Sequence, residues 1–234
     1  MAILAMDTSS LVSSVALVNS TTLLAELTIQ IRKTHSEQLM PHIAQLLEFA
    51  GIKPKELEGI AVSIGPGSFT GLRIGLATAK AIAYAQAKPL IGVPTLDALA
   101  YSCTLPGFIV APLLDAQKDN IYYALYRWHD NMLETIEPAA VGNIDETLLK
   151  LNAANVPVLT LGEAAVQYAD KISMYPGLIQ APPHLTIPRA ANVGMLAIHM
   201  LSQGIRHDVM DLEPVYIRRS EAEELWEKRH GGCG

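Results

Sequence analysis

The chain is poor in cysteine and in charge. Its 234 residues include two cysteines, Cys103 and Cys233, far apart and in unlike surroundings. That excludes a disulfide framework and a cysteine-built metal cluster, and it fits a reducing cytoplasm. Charged residues make up 17% and the formal net charge is −6. Such a balance argues against strong nucleic-acid binding by this chain alone, because that binding rests on neutralising phosphates with Lys and Arg. No apolar run reaches membrane-spanning length without a polar interruption. The opening MAILAMDTSS lacks the basic region of a secretion signal. Histidines are scattered, with no HExxH and no close pair. His35 and His42 stand seven apart, where helical metal ligands stand three or four apart, so both read as surface or capping residues.

Apolar residues are abundant, at 50%. With so little charge, this implies apolar surface covered by another chain. The length allows one or two domains and a large core.

The most distinctive stretch is Gly59–Ala87, GIAVSIGPGSFTGLRIGLATAKAIAYAQA. An apolar run, Ile60–Ile64, meets Gly65-Pro66-Gly67 and continues as a helix-favouring segment, with Ser68 or Thr70 placed to cap it. A Gly-rich turn at a helix N-terminus is a common place to hold an anion. Within the helix, Gly71, Gly75, Ala79, Ala83 and Ala87 recur every four residues as a ridge without side chains. Glycine in a helix interior costs about 1 kcal/mol relative to alanine, so Gly75 needs a packing reason. The ridge packs either on this protein's own sheet or on a partner helix.

Around that stretch the chain alternates strands and helices. Ala2–Met6 is a strand ending at Asp7, Thr8-Ser9-Ser10 turns, and Ser13–Val18 returns. Such a hairpin binds phosphate or a metal-bound phosphate, or simply caps its own turn with the Asp. Leu23–Ile31 is a third strand. A helix with Leu39, Ile43, Leu46 and Leu47 on one stripe follows, capped at Thr34 and kinked or restarted at Pro41. Pro54 opens a one-turn helix, Pro89–Val93 is a strand, and a helix runs from Pro94 to Tyr101. The layout then repeats. Phe108–Leu114 ends in Asp115, a polar turn leads to Ile121–Arg127, and a helix (Ile144–Leu151), a strand (Val156–Leu161) and helices at Glu163–Lys171 and Ala190–Leu201 follow. Two similar halves predict a duplicated α/β fold with a cleft between lobes. The expected divisions are a lobe over 1–102, a second over 103–213, and a tail over 214–234 with a short strand at Pro214–Ile217 and a charged helix at Glu221–Lys228.

The segments MDTSS, HSEQLMPHI, SIGPGSFTGLRIGLATAKAIA, GVPTLDALA, LLDAQKDNIYYALYR and EPVYIRRS together resemble the TsaB family, also called YeaZ, from residue 2 to about 219. The resemblance implies a duplicated actin/hexokinase-type (ASKHA) fold with two β-β-β-α-β-α lobes. It implies a role in threonylcarbamoylation of adenosine 37, beside the anticodon, in tRNAs reading ANN codons. It also implies a partner rather than a catalyst, which joins a catalytic paralogue, TsaD, and an ATPase, TsaE. ATP and a metal are then expected in those partners and no cofactor in this chain. TsaD-like relatives carry a metal-binding histidine pair where this chain has Thr95 and Leu99, and leucine ligates no metal. The positions Asp7, Ser9, Gly65 and Gly67 then read as a vestigial phosphate site. Glu163, after the single glycine Gly162, would repel a phosphate.

On that footing the expected partner surface is Leu39, Met40, Ile43 and Leu47 of one helix with Gly71, Leu72, Gly75, Leu76 and Ala79 of the other, a pair able to form a four-helix bundle. The same face could pair two copies when TsaD is absent, and tRNA is expected to be met only through the complex. The competing reading is an enzyme of the same fold, a small-molecule kinase using Asp7 or Asp115, or a metallopeptidase.

Overall fold

The computed structural model describes residues 2–30, 35–130 and 132–217. The expected cap at Thr34 and the helix expected at Glu221–Lys228 lie outside the described residues.

The chain runs through one pattern twice. The first half is β1 (Ala2–Asp7), β2 (Val12–Val18), β3 (Leu23–Gln30), α1 (His35–Ala50), β4 (Leu57–Ser63), α2 (Phe69–Ala85), β5 (Leu90–Val93) and α3 (Thr95–Ala100). The second is β6 (Ile109–Asp115), β7 (Asn120–His129), β8 (Met132–Asn143), α4 (Ile144–Asn152), β9 (Val158–Leu161), the broken helix α5 (Glu163–Gln167) and α6 (Ala169–Ser173), β10 (Leu178–Gln180) and α7 (Ala190–Ser202). Each half builds a five-stranded mixed sheet, β3-β2-β1-β4-β5 and β8-β7-β6-β9-β10, so strand order repeats along with element order. β1 lies between antiparallel β2 and parallel β4, and all its residues are buried, which is why it reads as a continuous apolar run.

Two strands were not expected from the sequence. β8 carries Glu134, Glu137 and Pro138, is largely exposed and pairs on one side only. An edge strand needs no apolar alternation and tolerates proline. Its register slips beside Pro138, where Leu125 faces Glu137 but Tyr123 faces Ala140, a bulge. β10 is three residues long, too short to show a period. The helix expected over 163–171 breaks at Tyr168 (φ −105°, ψ 25°). Conversely, α1 runs through Pro41 as one helix. The carbonyl deprived of its donor there belongs to Glu37, an exposed residue.

Helices α1 and α2 cover one face of the first sheet, through Leu39, Ile43, Leu76 and Ala79 on Leu4, Met6, Ile60 and Val62. The other face, with Ile3, Ala5, Ala61 and Ile91, receives Val193 and Ala197 of α7. In return, Leu96 and Leu99 of α3 pack on Val110, Leu114 and Tyr126 of the second sheet. Each half thus lends its last helix to the other. The start of α7 is held at the first sheet by the Ser14 hydroxyl, which accepts from Ala190 N at 2.8 Å, and by the Glu26 side chain, buried at its carboxylate, which accepts from Arg189 and from Ala191 N.

Residues 205–217 then strap the first lobe. His207 N donates to Leu90 O and its Nδ1 accepts from Gly92 N, Leu212 enters the core, and Lys80 Nζ donates to Met210 O. The strand expected at Pro214–Ile217 is instead an extended segment with Val215 N donating to Ile64 O at 2.7 Å. No described helix is long and apolar enough to cross a membrane.

Candidate functional site

The four positions read as a vestigial phosphate site do come together, and they are filled by the protein itself. At the end of β1, Asp7 Oδ1 accepts from Ser9 N (2.9 Å) and Ser9 Oγ (2.7 Å), closing the turn. The Gly65-Pro66 bond is cis and Gly67 has φ +155°. Ser68 N donates to Ser9 O at 2.6 Å, and a Cβ on Gly67 would lie 2.3 Å from that same oxygen. Gly65 (φ +109°) passes so close to Val215 that a Cβ would stand 2.7 Å from its carbonyl oxygen. The Ser68 hydroxyl caps α2 by accepting from Gly71 N. The N–H groups of Ser68 and Gly71 at this turn are therefore used internally.

The second lobe repeats the hairpin. Asp115 Oδ1 accepts from Gln117 N at 3.0 Å, as Asp7 does from Ser9 N, and Gln117, Lys118 and Asp119 all have positive φ. Glu163 opens α5 where Gly162 (φ +99°) touches β6; a Cβ there would lie 2.3 Å from Leu113 O. Burial pushes the Glu163 carboxyl above its usual range, and the Asp115 and Asp7 carboxylates push it further, against a backbone hydrogen bond at Asp115 that lowers it. The Glu163 carboxyl thus senses the carboxylates of both hairpins. Thr95 is fully buried at the start of α3, and Leu99 is core packing against the second sheet. Among the described residues no group of three or more His, Cys, Asp or Glu is placed to hold a metal ion. His42, expected at the surface, is buried with Nδ1 3.4 Å from Ser13 Oγ, and burial lowers its pKa.

The expected partner surface needs a larger correction. Gly71, Gly75 and Ala79, with Leu72 and Leu76, face inward. A Cβ on Gly71 would lie 2.0 Å from Thr8 O, and one on Gly75 2.3 Å from Thr8 Oγ1. The ridge is small because the β1–β2 turn sits in it. Leu39, Ile43 and Leu47 belong to the same core. Of the nine proposed positions only Met40 is markedly exposed, at 52%.

The outward side of the same helix pair is nonetheless apolar. α2 carries a second small stripe, Ala77, Ala81 and Ala85, and all three are exposed. Together with Met40 and Ala44 of α1 they border a groove of about 850 Å³ whose floor reaches Leu4 and Leu57. Phe49 and Tyr84, each 77% exposed, project from the C-terminal parts of α1 and α2. The sequence held a signal for this orientation. Gly71 and Gly75 adjoin Leu72 and Leu76, which must be buried, whereas Arg73, Lys80 and Tyr84 flank the alanine stripe.

Comparison with known proteins places the chain. It matches the model of the family described as TsaD: tRNA N6-adenosine threonylcarbamoyltransferase over residues 22–226. It is also 32% identical, over 97% of its length and 98% of the relative's, to the tRNA threonylcarbamoyladenosine biosynthesis protein TsaB of Bacillus subtilis strain 168. The chain belongs to the TsaB family. Among solved structures, a Pseudomonas aeruginosa protein described as uncharacterized with similarity to peptidase YEAZ superposes with a TM-score of 0.79 at 26% identity, covering 93% of this chain and 99% of that one. The fold is shared more widely. Component A of the (R)-2-hydroxyglutaryl-CoA dehydratase of Acidaminococcus fermentans gives a TM-score of 0.52 at 10% identity, covering 86% and 99% of the two chains. The TsaB-family chain thus has the duplicated α/β actin/hexokinase-like architecture, with both hairpins present and the first one packed shut.

Proposed function

We propose that this chain is a non-catalytic subunit in the synthesis of threonylcarbamoyladenosine in tRNA, acting in the cytoplasm by pairing with a TsaD-type paralogue and helping to recruit a TsaE-type ATPase. The observation that carries this reading is the exposed apolar face of α1 and α2. Met40, Ala44, Ala77, Ala81 and Ala85 offer small or flexible side chains over a groove, so helices of a partner can approach closely, and Phe49 and Tyr84 supply the aromatic anchors that interfaces use. The proposed occupant is the matching helix pair of the paralogue, since one family model spans both proteins. ATP and metal are assigned to the partners, and tRNA is met through the assembled complex. The close contact of the Asp7 turn with Gly67 favours this over a kinase of the same fold.

Mixing the chain with a TsaD-type paralogue, and reading complex size and tRNA modification, tests the proposal. A one-to-one complex and modification that depends on this chain are expected. ATP turnover or stoichiometric zinc or iron in the isolated chain would contradict it. Self-association of the isolated chain that the paralogue displaces would show two copies using the same face.

A further inference from the structure

At the N-terminal end of the alanine stripe, one turn before Ala77, stands Arg73. Its guanidinium lies over the Phe69 ring, 3.8 Å from the centroid, and its Nε donates to the Tyr216 hydroxyl at 3.1 Å. Phe69 and Tyr216 stack on each other, 5.0 Å between centroids and tilted by 33°. All three side chains are at the surface, and Arg73 has no carboxylate partner among the described residues.

This cluster holds a cation still without neutralising it. Arginine has five N–H donors. Here one is committed to Tyr216, while the two terminal amino groups remain available. The Tyr216 hydroxyl accepts from Arg73, so its own proton is also available. A guanidinium fixed by a ring below and a hydrogen bond behind has given up much of its rotamer freedom in advance. That favours a planar, two-toothed contact with a carboxylate. The Arg73 backbone lies about 6 Å along the α2 axis from Ala77, and its guanidinium sits over Phe69, about a turn further on, so a partner helix that runs along the alanine stripe and past its N-terminal end meets the guanidinium.

We infer that Arg73, pre-positioned by Phe69 and Tyr216, is a specificity determinant of the partner interface, pairing with an Asp or Glu carboxylate on the helix that the paralogue lays against α2. The inference rests on the pairing proposed above. It places an orienting charge at the edge of an otherwise apolar contact, where charge pairs govern register and choice of partner.

The test is the affinity of the full-length chain for the TsaD-type paralogue in low and high salt, for the wild type and for Arg73→Gln, Arg73→Lys and Tyr216→Phe. The wild-type complex should weaken roughly tenfold as salt screens the pair. Arg73→Gln should bind roughly tenfold more weakly at low salt and lose most of that salt dependence. Arg73→Lys should keep the salt dependence without recovering full affinity, because a point charge replaces the fork. Tyr216→Phe should weaken binding by roughly threefold with the salt dependence intact. A merely structural role for Arg73, pinning residues 213–217, would lower the thermal midpoint and leave the salt dependence unchanged. Equal affinity and equal salt dependence for wild type and Arg73→Gln would overturn the inference while leaving the pairing in place. Absence of any complex with the wild type would overturn the pairing itself.

Discussion

The Thr8 hydroxyl donates to the Gly71 carbonyl at 2.8 Å, joining the β1–β2 turn to the first turns of α2 across 63 positions of sequence. This contact explains the glycines of α2. Thr8 occupies the space where side chains at positions 71 and 75 would be, and Ser9 accepts from Ser68 just above. Direct contact between the two loops leaves no gap there.

Adding one methyl group to the ridge should therefore cost stability. Gly71→Ala and Gly75→Ala each place a carbon within 2.3 Å of Thr8 atoms, and overpacking of this kind costs about 1–3 kcal/mol. Urea denaturation should show both variants less stable than wild type. Ala77→Gly, on the exposed stripe, should lose only the helix-propensity difference of about 1 kcal/mol.

The half-buried Asp97 and the buried Tyr126 join α3 to the second sheet, with the Tyr126 hydroxyl donating to Asp97 Oδ1 at 2.6 Å. Burial raises the Asp97 pKa, and the Tyr126 bond opposes that rise. A raised carboxyl pKa means that the favourable contribution is complete below the usual value near 3.8 and is lost as pH rises through the folded value. Tyr126→Phe removes the donor and leaves the carboxylate worse off. It should destabilise the protein by about 1–3 kcal/mol at pH 7 and by less near pH 4, as compared by denaturation at the two pH values.

His42 works in the opposite direction. Its pKa is lowered by burial between α1 and β2. The unfolded chain takes up a proton near pH 6.5 and the folded chain resists it, so stability is intact above that pH and falls as pH drops below it. The slope contributed by this group is at most about 1.4 kcal/mol per pH unit. His42→Leu should flatten the stability profile between pH 7 and pH 5.

Most elements were legible in the sequence because their residues repeat at a strand or helix period and are bounded by glycine, proline or a cap. Those that escaped have physical reasons. β8 is an edge strand with Pro138 and several charges, so it shows no buried alternation. The exchange of α3 and α7 between lobes leaves no local trace, since an apolar helix reads the same whichever sheet it covers. The site was half legible. The helix pair and the small-residue spacing were visible, but α2 has two small stripes, and spacing alone does not say which one faces in. Only the position of Thr8 decides it. The importance of Arg73 depends on Tyr216, 143 positions away, a pairing that no local pattern announces.

The central claim is that the outward stripe of α2 is the surface on which the paralogue docks. Its most direct test is the dissociation constant of the complex with a TsaD-type paralogue for wild type and Ala81→Glu. Ala81 is exposed in the single chain, so the variant should unfold within about 0.5 kcal/mol of wild type. At a covered interface the new carboxylate would be buried without a partner, and binding should weaken about a hundredfold or more. A stable Ala81→Glu variant that binds as tightly as wild type would contradict the account.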